Sequence, residues 1–164
     1  MDPLRGDTRM KEQEPKPGMQ KTQDYRYQYR GFYGNEAVCR VRVYERPDAV
    51  PVVICTELPE NSGTSVTNMA EFLAAEIIAR HFPQRFEQET PVSWVEHYPP
   101  IEARGRKAKT EEFDLVTFST WTPKTEYRHG GMRVKLGTPE WKHSSKEHVE
   151  QLIGRPLEEE NPRT

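Results

Sequence analysis

The stretch VICTELPENSGTSVTNMAEFLAA, Val53 to Ala75, decides the reading of this chain. An apolar run ends on an acid, Glu57, a polar loop turns, and a helical pattern begins. The run VVICTEL (52–58) is nearly continuous in apolar residues, which suits a strand buried on both faces and hence central in a sheet. From Asn68 the spacing turns helical. Met69, Phe72, Leu73, Ile77 and His81 fall on one stripe, with Glu71 and Arg80 outside it. Asn68 followed by Glu71 has the spacing of a capping box, and Pro83 ends the helix.

Upstream, Tyr25 to Arg30 alternates aromatic and polar residues, the period of a half-exposed strand. After a turn at Asn35 and Glu36, AVCRVRVYE alternates again, with Cys39, Val41 and Val43 on one face and Arg40, Arg42 and Tyr44 on the other. A hairpin follows from the pair. Downstream, PVSWVEHY and EFDLVTFSTW read as two further strands, joined by a loop at 99–111 that carries EARGRKAKT and is expected to be mobile. A short strand is expected around Met132 to Leu136. SSKEHVEQLIG then starts a helix on Ser144 or Ser145 and stops it at Gly154, with Val149, Leu152 and Ile153 as its apolar stripe.

These elements predict an α+β fold: a mostly antiparallel sheet of about five strands, with a main helix near 68–82 and a short C-terminal helix near 145–153 packed on one face. The hydrophobic fraction of 34% is low and the 14 prolines are many for a fully packed chain of 164 residues, so a smaller core with polar tails is expected. Residues 1–24 mix charges of both signs with prolines and glycines and read as a disordered tail. A single domain spans 25–154, and 155–164 form an acidic tail.

A formal charge of −2 offers no global field for nucleic acid or membrane, so any electrostatic partner must be recruited locally. With no secretory signal and no run of 18 or more apolar residues, the chain reads as soluble and cytoplasmic, without a membrane partner. Cys39 and Cys55 sit in apolar strand patterns, which favours buried free thiols over a disulfide.

Two constellations carry chemistry. In the first, Glu57 stands at the base of a loop holding Asn61, Gly63, Thr64, Ser65, Thr67 and Asn68, at the start of a helix where backbone N–H groups and the helix dipole favour a small anionic ligand. Glu96 and His97 are adjacent in SWVEHY and face opposite sides of their strand, and either could approach Glu57 as an acid–base or metal pair if that strand neighbours Val52 to Leu58; His97 is taken into this set. Capping accounts for Asn68 and Glu71 but not for the density of polar residues between them. The loop has no Walker lysine and no GxGxxG pattern, and the histidines lack metal-ligand spacing, so no cofactor and no metal site are expected. In the second, Tyr27, Tyr29, Arg30, Arg40 and Arg42 on the hairpin, with Arg104, Arg106 and Lys107 in the basic loop, combine aromatic stacking surface with phosphate-binding cations, the pattern of a single-strand nucleic-acid binder.

Three functions follow. The first is a non-enzymatic binding or interaction protein using 57–68 and the aromatic and arginine strand surface to hold a protein partner or ligand. The second is a nucleic-acid-binding accessory protein using the 25–42 hairpin and the basic loop. The third is a small enzyme or ligand-binding protein centred on Glu57, the Ser/Thr loop and His97. No nucleophile elbow is present, which favours the non-enzymatic reading. Tyrosine-rich edge strands are also compatible with a homodimer.

Overall fold

The structure, a computed structural model, describes residues 18–30, 36–59, 70–100, 111–118, 121–123, 134–136 and 140–157. Its elements run β1 (Gln20–Arg30), β2 (Glu36–Glu45), β3 (Val52–Glu57), α1 (Ala70–His81), α2 (Pro83–Gln88), β4 (Val92–Tyr98), β5 (Glu112–Phe118), β6 (Trp121–Pro123), β7 (Val134–Leu136), β8 (Lys142–Ser144) and α3 (Lys146–Ile153). Six strands form one sheet in the order β1-β2-β3-β4-β5-β8, and β6 pairs with β7 in a separate two-stranded ribbon. All pairs of the main sheet are antiparallel except β3 with β4, which are parallel. Parallel neighbours need a crossover, and α1 with α2 supplies it. The expected α+β class holds, with six strands in the main sheet instead of about five.

β3 occupies a central position, as its apolar run predicts, and every one of its residues is buried. Side chains alternate across a strand, so the sheet has two distinct cores. On one face Cys39, Val41, Val43, Val53, Cys55, Trp94 and Val116 pack against Leu73, Ala74, Ile77 and Ile78 of α1. On the other face Tyr44, Val52, Ile54, Val95 and Phe113 pack against Val149 and Ile153 of α3. The two helices therefore lie on opposite faces, not on one as the sequence suggested. A central strand with no wet side requires cover on both sides, and α1 alone covers only one.

The domain also reaches beyond its expected ends. β1 begins at Gln20, inside the stretch read as a tail, and Met19 is buried in the α3 core. The charges there are engaged locally: Lys21 Nζ donates to Asp24 Oδ2 at 2.7 Å, and Arg40 Nη2 donates to the same oxygen at 2.7 Å. Past α3, Leu157 is buried in the same core, and its N–H donates to the Glu150 carboxylate at 2.8 Å.

Local signals set the helix ends. Ser145 Oγ accepts from the His148 N–H at 3.0 Å, the N-cap anticipated from the sequence. Pro83 ends α1 and opens α2, because a proline at the first helical position sacrifices no hydrogen bond. Gly154 caps α3 at φ 72, a conformation that glycine adopts without a side-chain clash. It is also where the N-terminal segment docks: the Met19 N–H donates to Ile153 O at 2.8 Å, and a Cβ on Gly154 would lie 2.9 Å from Gly18 Cα.

Gly154→Ala should therefore destabilise the domain by about 1–2 kcal/mol from the left-handed conformation alone. The contact with Gly18 adds to that loss. Denaturant unfolding checks this, and an unchanged midpoint would contradict the docking of the N-terminal segment on α3.

Candidate functional site at the carboxyl end of the central strands

Glu57 is the last residue of β3 and faces the α1 side, as Val53 and Cys55 do. On the neighbouring parallel strand, Trp94, Glu96 and Tyr98 occupy alternate positions and face the same way. Glu96 lies opposite Cys55 in the register. On the next strand Asp114 lies opposite Glu96. Three adjacent strands thus each place one carboxyl on this face. Glu57 and Glu96 are sealed, at 0% and 1% exposure, while Tyr98 and Asp114 are partly exposed and form the rim.

Glu96 is held by two neutral donors. Trp94 Nε1 donates to its Oε2 at 3.0 Å, and the Tyr98 hydroxyl donates to its Oε1. Burial pushes its pKa up to about 7, and the negative charges of Asp114 and Glu57 push in the same direction against the two hydrogen bonds. Glu96 therefore changes charge near neutral pH, the behaviour of a group at a working site more often than of a structural carboxylate. Cys39 and Cys55 are free buried thiols beneath α1, diagonal neighbours on β2 and β3; burial raises the Cys55 pKa, and Cys39 raises it further.

His97 does not join this set. It faces the α3 side, where it stacks on Phe113 with centroids 4.3 Å apart and planes 4° from parallel. Adjacent residues on a strand point to opposite faces, so Glu96 shares the face of Glu57 and His97 does not. His97 instead sits in a chain of hydrogen bonds. Arg42 Nη2 donates to Thr56 Oγ1 at 2.7 Å, and Thr56 Oγ1 lies 3.1 Å from His97 Nδ1. Since arginine can only donate, Thr56 accepts from it and passes its own proton toward Nδ1, leaving Nε2–H to donate to Glu111 Oε2 at 3.0 Å. Burial lowers the His97 pKa to about 4, Arg42 and Lys146 lower it further, and Glu111 opposes them. The imidazole is neutral at physiological pH.

The aromatic and arginine residues of the hairpin do not share a surface. Tyr25, Tyr27 and Tyr29 face α1 and are taken up there. Tyr25 Oη is 2.7 Å from His81 Nε2, Arg80 lies 4.8 Å over the Tyr27 ring, and Tyr29 is buried. Arg40 and Arg42 face the other way and are themselves buried. Arg40 makes a two-pronged contact with Asp24, from Nε at 2.8 Å and Nη2 at 2.7 Å, and that contact holds the Asp24 pKa down to about 2. Arg30 is exposed and paired with Glu36 at 2.7 Å. A base stacked on the tyrosines would lie across the sheet from Arg40 and Arg42. Asn61, Gly63, Thr64, Ser65, Thr67 and Asn68, and Arg104, Arg106 and Lys107, lie outside the described residues.

Among the described residues no group of three or more His, Cys, Asp or Glu is arranged to hold a metal ion, and no helix is long and apolar enough to cross a membrane. Set against known proteins, the chain matches no family, no curated protein and no solved structure. The signal that could have located Glu96 from sequence is the W-x-E-x-Y pattern of 94–98. On a strand it sets two neutral donors on either side of one carboxyl.

The two buried groups act on stability in opposite directions. Glu96 ionises at 4.5 when unfolded and at about 7 when folded, so its contribution is complete below 4.5 and is lost as pH rises through 7, about 3 kcal/mol in all. His97 titrates at 6.5 unfolded and about 4 folded, so its contribution is complete above 6.5 and is lost as pH falls toward 4. Glu96→Gln should therefore gain on the wild type by about 3 kcal/mol between pH ~4.5 and ~8. Thermal unfolding of the two proteins across that range measures the difference, and a gap that does not change with pH would refute the raised pKa.

Proposed function

We propose that this protein is a small non-enzymatic binding module whose contact site lies at the start of the strand–loop–helix. There a cationic group of the partner, an arginine or lysine side chain or an amine, docks at the rim of Tyr98 and Asp114, over the buried carboxyls Glu57 and Glu96. The observation that supports this reading is the pair of buried carboxyls on adjacent strands, of which Glu96 is held, among the described residues, by the neutral donors Trp94 and Tyr98. Their position agrees with the general tendency of ligands to bind beyond the carboxyl ends of parallel strands. A cation brought to Glu96 stabilises its ionised form, so binding lowers the Glu96 pKa and expels a proton. Affinity then rises with pH through 7, where Glu96 titrates.

The nucleic-acid reading has less support, since the hairpin tyrosines and the buried arginines are divided between the two faces. An enzymatic reading built on Glu57 with His97 loses its geometry for the same reason of parity.

Isothermal titration with a hexa-arginine peptide, in two buffers of different ionisation enthalpy at about pH 7, tests the proposal. Binding with release of part of a proton is expected, with the release abolished in Glu96→Gln and no binding of a hexa-glutamate control. No binding of the arginine peptide, or binding without proton release that survives Glu96→Gln, would overturn it.

A further inference from the structure

One register row crosses the α1 face of the sheet at the proposed contact site. Cys55 of β3 lies opposite Glu96 of β4, Glu96 opposite Asp114 of β5, and Asp114 opposite His143 of β8. Exposure rises along the row, from 0% at Cys55 and 1% at Glu96 to 35% and 69% for the side chains of Asp114 and His143. The row leads from a sealed carboxyl to solvent through a carboxylate and an imidazole. His143 Nδ1 lies 3.4 Å from Asp114 Oδ1, and among the described residues this is the ion pair that Asp114 makes. The carboxylate at the rim, where the partner's cation docks, thus has an internal group beside it that can itself become a cation.

The charges around His143 are divided by strand parity. Glu112, two positions along β5, shares the face of Asp114 and lies opposite Tyr98, and Glu96 stands behind Asp114 on β4. Lys142 lies opposite Leu115 on the α3 side, the side from which Lys146 acts on His97. Among the described residues, the imidazole therefore looks onto carboxyls. We infer that His143 is a built-in competitor at the cation site: its charged form pairs with Asp114 against the partner's cation, and its neutral form leaves Asp114 open to that cation. This rests on the reading of the rim as a cation site. An exposed ion pair is weak and readily exchanged, which suits a contact that must yield to a partner. An exposed imidazole is largely charged at about pH 5.5 and largely neutral at about pH 7.5. The competition acts on the acid side of neutrality, and acidification weakens binding through it.

Titration of a hexa-arginine peptide into the full chain at about pH 5.5 and about pH 7.5 tests it, with His143→Gln and His143→Lys beside the wild type. Both substitutions fall on an exposed side chain and leave Glu96 in place. At the lower pH His143→Gln should bind about two- to fivefold tighter than the wild type, the range set by an exposed ion pair. At the higher pH the two should bind alike. His143→Lys, charged at both, should bind more weakly than His143→Gln at both by a similar factor. Lys142→Gln removes a neighbouring charge from the opposite face and should leave the wild-type affinity unchanged. An equal gain in Lys142→Gln would reduce the effect to net charge and overturn the inference. Equal affinities of the wild type and His143→Gln at the lower pH, or weaker binding by His143→Gln at both, would overturn it and leave the cation site standing. No binding by any of these proteins would overturn the cation site and the inference with it.

Discussion

The burial of every residue of β3, from Val52 to Glu57, is the constraint on which the rest of the structure depends. A strand with no wet face needs a paired neighbour on each edge and a packed layer on each side. β2 and β4 supply the edges, α1 supplies one layer, and α3 with Met19 and Leu157 supplies the other. The strand ends on a glutamate, so the requirement that buries Val53 and Cys55 also draws the Glu57 carboxyl into the interior. The polar groups available at this end of the sheet are therefore set by packing.

Strand parity then sorts the polar residues. Arg40, Arg42, Thr56 and His97 fall on the α3 side, where Asp24 and Glu111 complete their hydrogen bonds. Glu57, Glu96 and Asp114 fall on the α1 side. The arginines of β2 are close in the register to the carboxyls of β3 and β4, yet the backbone of the sheet stands between them. Glu96 is left with an indole and a phenol as its donors. One face carries a chain of hydrogen bonds from Arg42 through Thr56 and His97 to Glu111, and the other carries a carboxyl that titrates near neutrality.

Much of this was legible in the sequence. The alternation of 37–45 gives both faces of β2, the run 52–58 gives the central strand, and Ser145 with Gly154 gives both ends of α3, because each is a local signal. The start of β1 was not legible, since Lys21 and Asp24 look like tail residues until Arg40 is placed beside them. The placement of the helices on opposite faces depends on how the chain returns after β8, which no periodicity records. The choice between Glu96 and His97 as the neighbour of Glu57 rests on the register of a parallel pair, a tertiary fact. Only the alternation of Trp94, Glu96 and Tyr98 hinted at it.

The central claim is that Glu96 is a buried carboxyl poised between its two charge states in the folded protein. Carbon-13 NMR titration of the glutamate side-chain carboxyls, with Glu96 assigned by its absence in Glu96→Gln, tests this most directly. The account requires a Glu96 transition near pH 7, well above the other glutamates. A transition at the ordinary 4.5 would contradict it.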